Sequence, residues 1–279
     1  MPYKPDPGPD ADEEKRLAFQ ASREVRHTVI RVITAHLQND AAVSWHAQNL
    51  DFTGAVFDGG SFAGAHFSGG AVNFDGTRFT NGEVKFDNTE FSGGTVHFND
   101  AEFSGSEVHF HAAKFIGGIV QFKRSEFSGG LVSFETAEFL GSEFQFHGAK
   151  FTGGEINFKA DFMGGIVKFP FAEISGGTFY FDYAEFSGGI VEFYCADFLD
   201  GRIVFNFARF SGGIVSFDRT LLSGGAVDFR KALFSGGAVD FSNVKFSGTE
   251  VDFSAPKVWS CPPKFPWTGA PPPGVKLPP

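Results

Sequence analysis

The feature that most constrains this chain is the regular spacing of its phenylalanines. From Phe52 to Phe67 they fall every five residues, and from Gly69 onward the spacing alternates between seven and five. The resulting twelve-residue unit reads G-G-x-V-x-F-x-x-A-x-F-S and recurs about fifteen and a half times, up to Phe253. A fixed period of this kind is typical of architectures in which each repeat packs against its neighbours.

One unit departs from the period. Only three residues separate Phe158 from Phe162, where the other units have four, and the spacing resumes at Phe169. We therefore expect one turn of the repeat to absorb the missing residue.

Each unit is predicted to form two short extended segments joined by two corners. Val and Phe stand two residues apart, which places both side chains on one side of an extended chain. The Gly-Gly pair supplies the positive-φ conformations that a tight corner needs. A ring of twelve residues is too narrow to enclose two phenyl rings and a valine at interior packing density. Two units per coil leave that room, so residues 50–253 predict roughly 8.5 four-sided coils and a rod of about 40 Å.

The repeat places most phenylalanines of this chain in the predicted core. Of the 39 phenylalanines, 33 occupy the two framework positions of the repeat. Another two, Phe144 and Phe179, replace the inward valine. Four lie off the pattern: Phe19, Phe171, Phe207 and Phe265.

The run L-D-F-T-G-A-V-F from Leu50 to Phe57 resembles the A-x-F/L-x-x pattern of the pentapeptide-repeat proteins. Each twelve-residue unit is similar to two such pentapeptides with two added glycine-corner residues. The resemblance covers about 200 of the 279 residues. It implies an all-β fold of a bacterial protein, a right-handed four-sided parallel β-helix with Phe at the central inward position. A short N-terminal α-helix completes the expected fold.

Four segments are expected. Residues 1–10 are predicted to be disordered, 11–48 to form an amphipathic helix and cap, 49–253 to form the solenoid, and 254–279 to form a proline-rich tail. The helix prediction rests on acidic residues at its start, which suit the helix dipole, and on apolar residues at three-to-four spacing. Its function is either to cap the open end of the solenoid or to pair with a second chain.

The proline-rich composition of the tail predicts that it forms no strand paired with the solenoid, that its backbone is extended as in polyproline and that it is disordered. Two alternatives stay open. Its aromatic residues fold back onto the last coil, or its prolines bind an aromatic groove. The aromatic residues concerned are Trp259, Phe265 and Trp267.

Composition and motifs exclude several function classes. No run of 18 apolar residues predicts a membrane span, and the acidic, proline-rich start is unlike a secretory signal. Cys195 and Cys261 stand 66 positions apart, a spacing that fits neither a metal site nor a disulfide framework, so a reducing, cytoplasmic setting is expected. No catalytic motif, cofactor motif or metal site is recognised, and we expect a protein that is not an enzyme. The repeat's histidines, His97, His109, His111 and His147, are all at outward positions.

Outward positions are the remaining candidates for function. With two units per coil, alternate units stack, which predicts a column on one face that contains Ile119, Ile166, Ile190 and Ile214. These isoleucines form either an interaction stripe or an ordinary β-branched ladder. A second column is predicted to stack Glu138, Asp161 and Glu185 over three successive coils. Either solvent and the nearby Lys150 or Lys168 offset the repulsion between these carboxylates, or a partner uses their charge.

Two functions from different classes fit this sequence. The first is a non-catalytic structural or protein-interaction scaffold whose partner is unknown. The second follows from the family resemblance: some pentapeptide-repeat proteins mimic DNA and occupy type II topoisomerases such as gyrase. The solenoid holds 14 basic and 26 acidic residues. Its net charge per unit length is about half that of duplex DNA, which carries one charge per roughly 1.7 Å. The resemblance also allows a homodimer, and no direct binding of nucleic acid is expected.

Overall fold

The chain forms a parallel β-solenoid of about nine turns preceded by one helix, as the computed structural model shows for Tyr3 and residues 5–279. The helix α1 spans Glu13–His36 and begins at the N-cap Asp12, whose carboxylate accepts a hydrogen bond from the amide of Lys15. All strand pairs are parallel, and the strands form four sheets. The expected all-β fold class, with four sides and an N-terminal helix, is confirmed.

Each coil contributes four short strands. Coils 1–3 contain β1 (Leu50–Asp51), β2 (Val56–Phe57), β3 (Gly60–Ser61), β4 (His66–Phe67), β5 (Ala71–Asn73), β6 (Arg78–Phe79), β7 (Glu83–Lys85), β8 (Glu90–Phe91), β9 (Thr95–His97), β10 (Glu102–Phe103), β11 (Glu107–His109) and β12 (Lys114–Phe115). Coils 4–6 contain β13 (Ile119–Gln121), β14 (Glu126–Phe127), β15 (Leu131–Ser133), β16 (Glu138–Phe139), β17 (Glu143–Gln145), β18 (Lys150–Phe151), β19 (Glu155–Asn157), β20 (Asp161–Phe162), β21 (Ile166–Lys168), β22 (Glu173–Ile174), β23 (Thr178–Tyr180) and β24 (Glu185–Phe186). Coils 7–9 contain β25 (Ile190–Glu192), β26 (Asp197–Phe198), β27 (Arg202–Val204), β28 (Arg209–Phe210), β29 (Ile214–Ser216), β30 (Leu221–Leu222), β31 (Ala226–Asp228), β32 (Leu233–Phe234), β33 (Ala238–Asp240), β34 (Lys245–Phe246), β35 (Glu250–Asp252) and β36 (Val258–Trp259), and β37 (Val275–Lys276) follows.

Each strand from β1 to β32 pairs with the strand four places further along the chain, so two repeat units make one coil. We number the sheets 1 to 4 after β1, β2, β3 and β4, the strands that begin them. Val96 lies opposite Val120 in sheet 1, which is the 24-residue register predicted from the repeat. Phe139 lies opposite Phe162 in sheet 4, so the ladder continues through the unit that is one residue short.

The interior is filled by columns of stacked phenyl rings. Phe98 and Phe122 of successive coils have ring centroids 4.8 Å apart and planes only 3° apart. Phe103 and Phe127 form a second column with a 4.6 Å spacing. Because neighbouring parallel strands are also about 4.8 Å apart, each coil adds one ring to each column. The inward Val and Ala positions of the repeat are buried beside these rings.

The Gly-Gly corners bring the backbones of successive coils close together. A Cβ atom on Gly94 would lie 2.4 Å from the carbonyl oxygen of Gly70, and Gly94 has a φ of +72°. The left-handed conformation favours glycine, and the close approach of the Gly70 carbonyl leaves no room for a Cβ atom here.

Helix α1 lies across the N-terminal end of coil 1. Ile30 and Leu37 are buried in the same core cluster as the phenylalanines. A Cβ atom on Gly60 would lie 2.6 Å from Cδ1 of Ile30, so the glycine allows the helix to contact the strand directly. Thr34 donates a hydrogen bond to the carbonyl of Ser61 at 2.8 Å. The helix therefore covers the aromatic core at this end.

A buried carboxylate anchors the helix. Asp58 is only 2% exposed. Its side chain accepts a hydrogen bond from Arg26, and its backbone carbonyl accepts one from Arg23 at 3.2 Å. His27 Nε2 lies 3.4 Å from Asp58 Oδ1. These contacts fix the helix relative to coil 1.

The prediction that the proline-rich tail makes no ladder strand is wrong. Val258 and Trp259 pair with sheet 4, and Val275 and Lys276 pair with sheet 3. Trp259 packs edge-on against Phe234, and Phe265 stacks near Phe241. All prolines of the tail lie outside these two short strands, so none of them has to donate a backbone hydrogen bond within a strand pair. The alternative in which the tail's aromatic residues fold onto the last coil is the one observed.

The predicted disorder of residues 1–10 falls partly on Met1, Pro2 and Lys4, which lie outside the described residues. Pro5 and Pro7 line a shallow depression together with Lys15, Ala18 and Phe19 of the helix.

Candidate interaction surfaces

The outward side chains are ordered in columns because the coils stack in register. His97 lies on sheet 1 and His109 on sheet 3, so these two histidines face opposite sides, as expected. Among Tyr3 and residues 5–279, no group of three or more His, Cys, Asp or Glu side chains is arranged to hold a metal ion. In the same part of the chain, no helix combines the length and apolar character needed to cross a bilayer.

The isoleucine column lies on sheet 1. Ile166, Ile190 and Ile214 are direct neighbours on three successive coils. Ile119 is separated from them by Glu143, whose carboxylate accepts a hydrogen bond from Lys168 at 2.8 Å. This hydrogen bond from Lys168 holds the pKa of Glu143 below its usual range. The structure thus brings three of the four predicted isoleucines together.

The acidic column lies on sheet 4. Glu138, Asp161 and Glu185 are direct neighbours on coils 4, 5 and 6, as the repeat predicts. Lys114 Nζ lies 3.9 Å from Glu138 Oε2 on one side of this column, and Arg209 follows Glu185 in register on the other.

Neither lysine proposed to offset the acidic column contacts it. Lys150 lies on sheet 2, on the opposite side of the rod, in register with Glu126 and Glu173. Lys168 lies on sheet 1 and binds Glu143. Both lysines are close to the acidic residues in sequence, but successive strands of a coil lie on different sides of the rod, so closeness in sequence does not bring the side chains together. Asp161 consequently lies between two carboxylates, and burial, Glu185 and Glu138 together raise its pKa.

An exposed apolar row borders sheet 4 where the chain turns toward sheet 1. Most coils have serine at this position, whereas coils 3, 4 and 5 have Ile116, Leu140 and Met163, which are 41%, 36% and 45% exposed. On the opposite edge of the rod, Leu199 is the corresponding exposed apolar side chain. This row was not predicted from the sequence, although three alternate repeat units have an apolar residue where most other units have serine.

Aromatic side chains mark the corner between sheets 3 and 4, at the other border of sheet 4. Tyr183 of coil 6 and Phe207 of coil 7 have φ values of +60° and +61°. Gly64, Asn88 and Ala112 occupy the same position in coils 1–3. Bulky residues rarely adopt this left-handed conformation, and such outliers concentrate at functional sites. The off-pattern position of Phe207 was the only sequence signal for this corner.

The diagonally opposite corner, between sheets 1 and 2, has a second aromatic group. Phe171 has a φ of +56° and contacts Tyr194 edge-on at 5.9 Å between ring centroids. The Arg219 guanidinium lies 5.7 Å from the Tyr194 ring. In this column Gly148 precedes Phe171.

A charged cluster closes the C-terminal half of sheet 3. Asp228 is buried and accepts hydrogen bonds from Arg230 Nε at 2.9 Å and from Arg202 Nη2 at 3.1 Å. Burial disfavours the charged form of Asp228, but the hydrogen bonds from Arg230 and Arg202 outweigh it and leave the pKa below the usual range. Each charge in this cluster has a partner within the chain.

Helix α1 also carries apolar side chains that the solenoid covers only in part. Leu17, Val25, Val29 and Val32 are each about half exposed. Val25 and Val29 line an apolar cleft of about 230 Å³ together with Phe52 and Val56 of coil 1.

Compared with known proteins, the chain matches no family model, and no curated protein is similar to it.

Proposed function

We propose that this chain is a non-catalytic protein-interaction scaffold of the pentapeptide-repeat kind. The observation that carries the proposal is the filled interior. The inward positions of the described coils hold mostly buried Phe, Val and Ala side chains, with a few Ile, Leu, Thr and Ser, and leave no open channel for a substrate. Small-molecule sites are mostly clefts or cavities that enclose the ligand, whereas the interior of this rod is packed and most of its polar side chains lie in outward columns. Recognition of a partner by those columns is the function that such an arrangement supports best.

Sheet 4 at coils 3–6 is the surface that we propose for the partner. Its centre is the acidic column around Asp161, and its two borders are the apolar row around Leu140 and the aromatic corner around Tyr183. Aromatic residues and Met are enriched at interfaces, and charged groups beside them determine which partner is bound. The isoleucines on sheet 1 lie on the neighbouring side and extend the same surface toward coil 8.

DNA mimicry of the gyrase inhibitor type is the second candidate, supported by the net charge of the solenoid. The charge pattern weighs against it. On sheet 2, Arg78, Lys150 and Lys245 interrupt the acidic residues, so no continuous negative stripe follows the rod on that side. A mimic would inhibit supercoiling by purified gyrase at micromolar protein, and charge reversal at Glu138, Asp161 and Glu185 would relieve the inhibition. Unchanged supercoiling at high protein concentration removes this candidate.

The scaffold proposal is tested by quantitative affinity capture from a lysate of the source organism. The variant Asp161→Lys/Met163→Ser alters sheet 4. The variant Asp197→Lys/Leu199→Ser is its matched control, because D-F-L on sheet 2 reproduces D-F-M on sheet 4. We expect a retained protein to be lost with the sheet 4 variant and kept with the control. Equal retention by both variants contradicts the proposal.

A further inference from the structure

The missing residue of coil 5 opens a cleft at the corner between sheets 3 and 4. Coils 1–4 and 6–8 each place a positive-φ residue at this corner, including Thr136 in coil 4 and Tyr183 in coil 6. Coil 5 passes directly from Lys159 to Ala160 and lacks that residue. The cleft measures about 470 Å³ and is lined by Glu135, Thr136, Lys159, Ala160, Asp161 and Tyr183.

One wall of the cleft is the free face of an aromatic stack. The rings of Tyr183 and Phe207 have centroids 4.9 Å apart and planes 2° apart. The ammonium groups of Lys231 and Lys257 lie 5.0 and 4.8 Å from the Phe207 ring and cover that end of the stack. Tyr183 is 67% exposed, and the cleft lies on its side away from Phe207. Since coils and stacked rings repeat at nearly the same distance, about 4.8 Å, the gap in coil 5 leaves room for one planar group on Tyr183.

The charges around the cleft favour a cation. Glu135 and Asp161 line it, and Glu138 and Glu185 flank Asp161 on sheet 4. The ammonium of Lys159 is turned toward sheet 3, where it lies 5.8 Å from the Tyr180 ring. A guanidinium is planar, stacks on aromatic rings and donates two parallel hydrogen bonds to a carboxylate. A guanidinium therefore matches both features of the cleft, the aromatic wall and the carboxylates.

We propose that this cleft receives an arginine side chain of a partner protein, with its guanidinium stacked on Tyr183 and hydrogen-bonded to Asp161. This assignment rests on the scaffold function proposed above and names the partner residue that sheet 4 recognises. The apolar row of Ile116, Leu140 and Met163 across sheet 4 then contacts apolar residues next to that arginine.

Titration of the ¹⁵N-labelled full chain with N-acetyl-arginine amide tests the assignment. We expect saturable chemical-shift changes at the amides of Ala160, Asp161 and Tyr183. N-acetyl-citrulline amide has the same shape without the charge, and N-acetyl-lysine amide has the charge without the plane. Each should bind at least about fivefold more weakly, because each loses one of the two interactions. Citrulline binding as tightly as arginine overturns the assignment.

Two variants are designed to remove the cleft or its wall while keeping the fold. Insertion of one asparagine between Lys159 and Ala160 restores the regular twelve-residue unit and fills the gap. Tyr183→Gly removes the stacking wall and keeps a residue suited to positive φ. Both should abolish the shift changes, whereas Phe171→Gly at the opposite corner of coil 6 should leave them intact. Wild-type binding by the insertion variant, or no saturable shifts at these amides in the wild type, overturns the assignment. If the arginine probe fails while capture still depends on Asp161 and Met163, the scaffold function stands and only the arginine assignment falls.

Discussion

The carbonyl oxygen of Gly70 occupies the space into which a Cβ atom on Gly94 would project, with only 2.4 Å between them. We therefore expect Gly94→Ala to destabilise the solenoid by two effects. Left-handed strain adds about 1–2 kcal/mol, and the clash between coils adds about 1–3 kcal/mol more. Gly76→Ala is the matched control, because Gly76 has a φ of +62° but no atom within 4 Å of its Cβ position. Denaturant unfolding measures both, and equal losses would show that the close approach of the coils is not rigid.

Core and corner aromatics should respond in opposite ways to truncation. Phe122 is buried between Phe98 and Phe146, and Phe122→Ala should lower the free energy of unfolding by about 3–5 kcal/mol. Phe171 is exposed at positive φ, so Phe171→Gly should leave stability unchanged or raise it by up to about 1 kcal/mol. Unfolding by denaturant, monitored by circular dichroism, compares the two. A large loss with Phe171→Gly would mean that this exposed corner ring stabilises the fold.

Two aspartates should give stability opposite dependences on pH. The pKa of Asp228 is lowered from its ordinary 3.8 by its arginine partners, which outweigh burial, so its contribution is present above that value and lost as pH falls through the lowered pKa. Asp228→Asn should lose about 1–3 kcal/mol at neutral pH. The pKa of Asp161 is raised by burial and by Glu185 and Glu138, so its charged form is unfavourable above the raised pKa. Asp161→Asn should stabilise by less than about 1 kcal/mol, since the Asp161 carboxylate is only partly buried and solvent screens the repulsion.

Thermal unfolding of both variants between acidic and neutral pH tests whether each substitution lowers or raises stability as expected. The gain from Asp161→Asn should disappear as pH falls below the ordinary aspartate pKa of 3.8, where the folded and unfolded forms are both protonated. A gain that persists there, or a loss at neutral pH, contradicts the repulsion inferred within the acidic column.

The exposed face of α1 offers a test of self-association. If a homodimer forms through this helix, Val25→Glu/Val29→Glu places charges in its apolar face and should convert the dimeric mass to the monomeric mass in light scattering. Val43→Glu, at another exposed valine beyond the helix, serves as the control. Masses that agree among wild type and both variants remove the helix as a dimer element.

Much of the fold was predictable because the repeat determines it. The spacing between Val96 and Val120 predicted which strands pair, and the predicted stacking of Glu138, Asp161 and Glu185 is observed. The tail was predicted wrongly because two-residue strands such as Val258–Trp259 need only a small interval between prolines. The cleft of coil 5 was not predicted, since a one-residue deletion shows in the sequence whereas the resulting space depends on the stacked ring of Tyr183 beside it.

Photo-crosslinking from each of the four sides tests the central claim, that function lies on the sheet 4 surface and its neighbour, most directly. Glu185, Ile190, Asp197 and Arg202 follow one another on sheets 4, 1, 2 and 3, and each is replaced in turn by p-benzoylphenylalanine in the full chain. We expect a crosslinked partner protein from the positions of Glu185 and Ile190, and none from those of Asp197 and Arg202. The same products from all four positions, or none from any, would contradict the account.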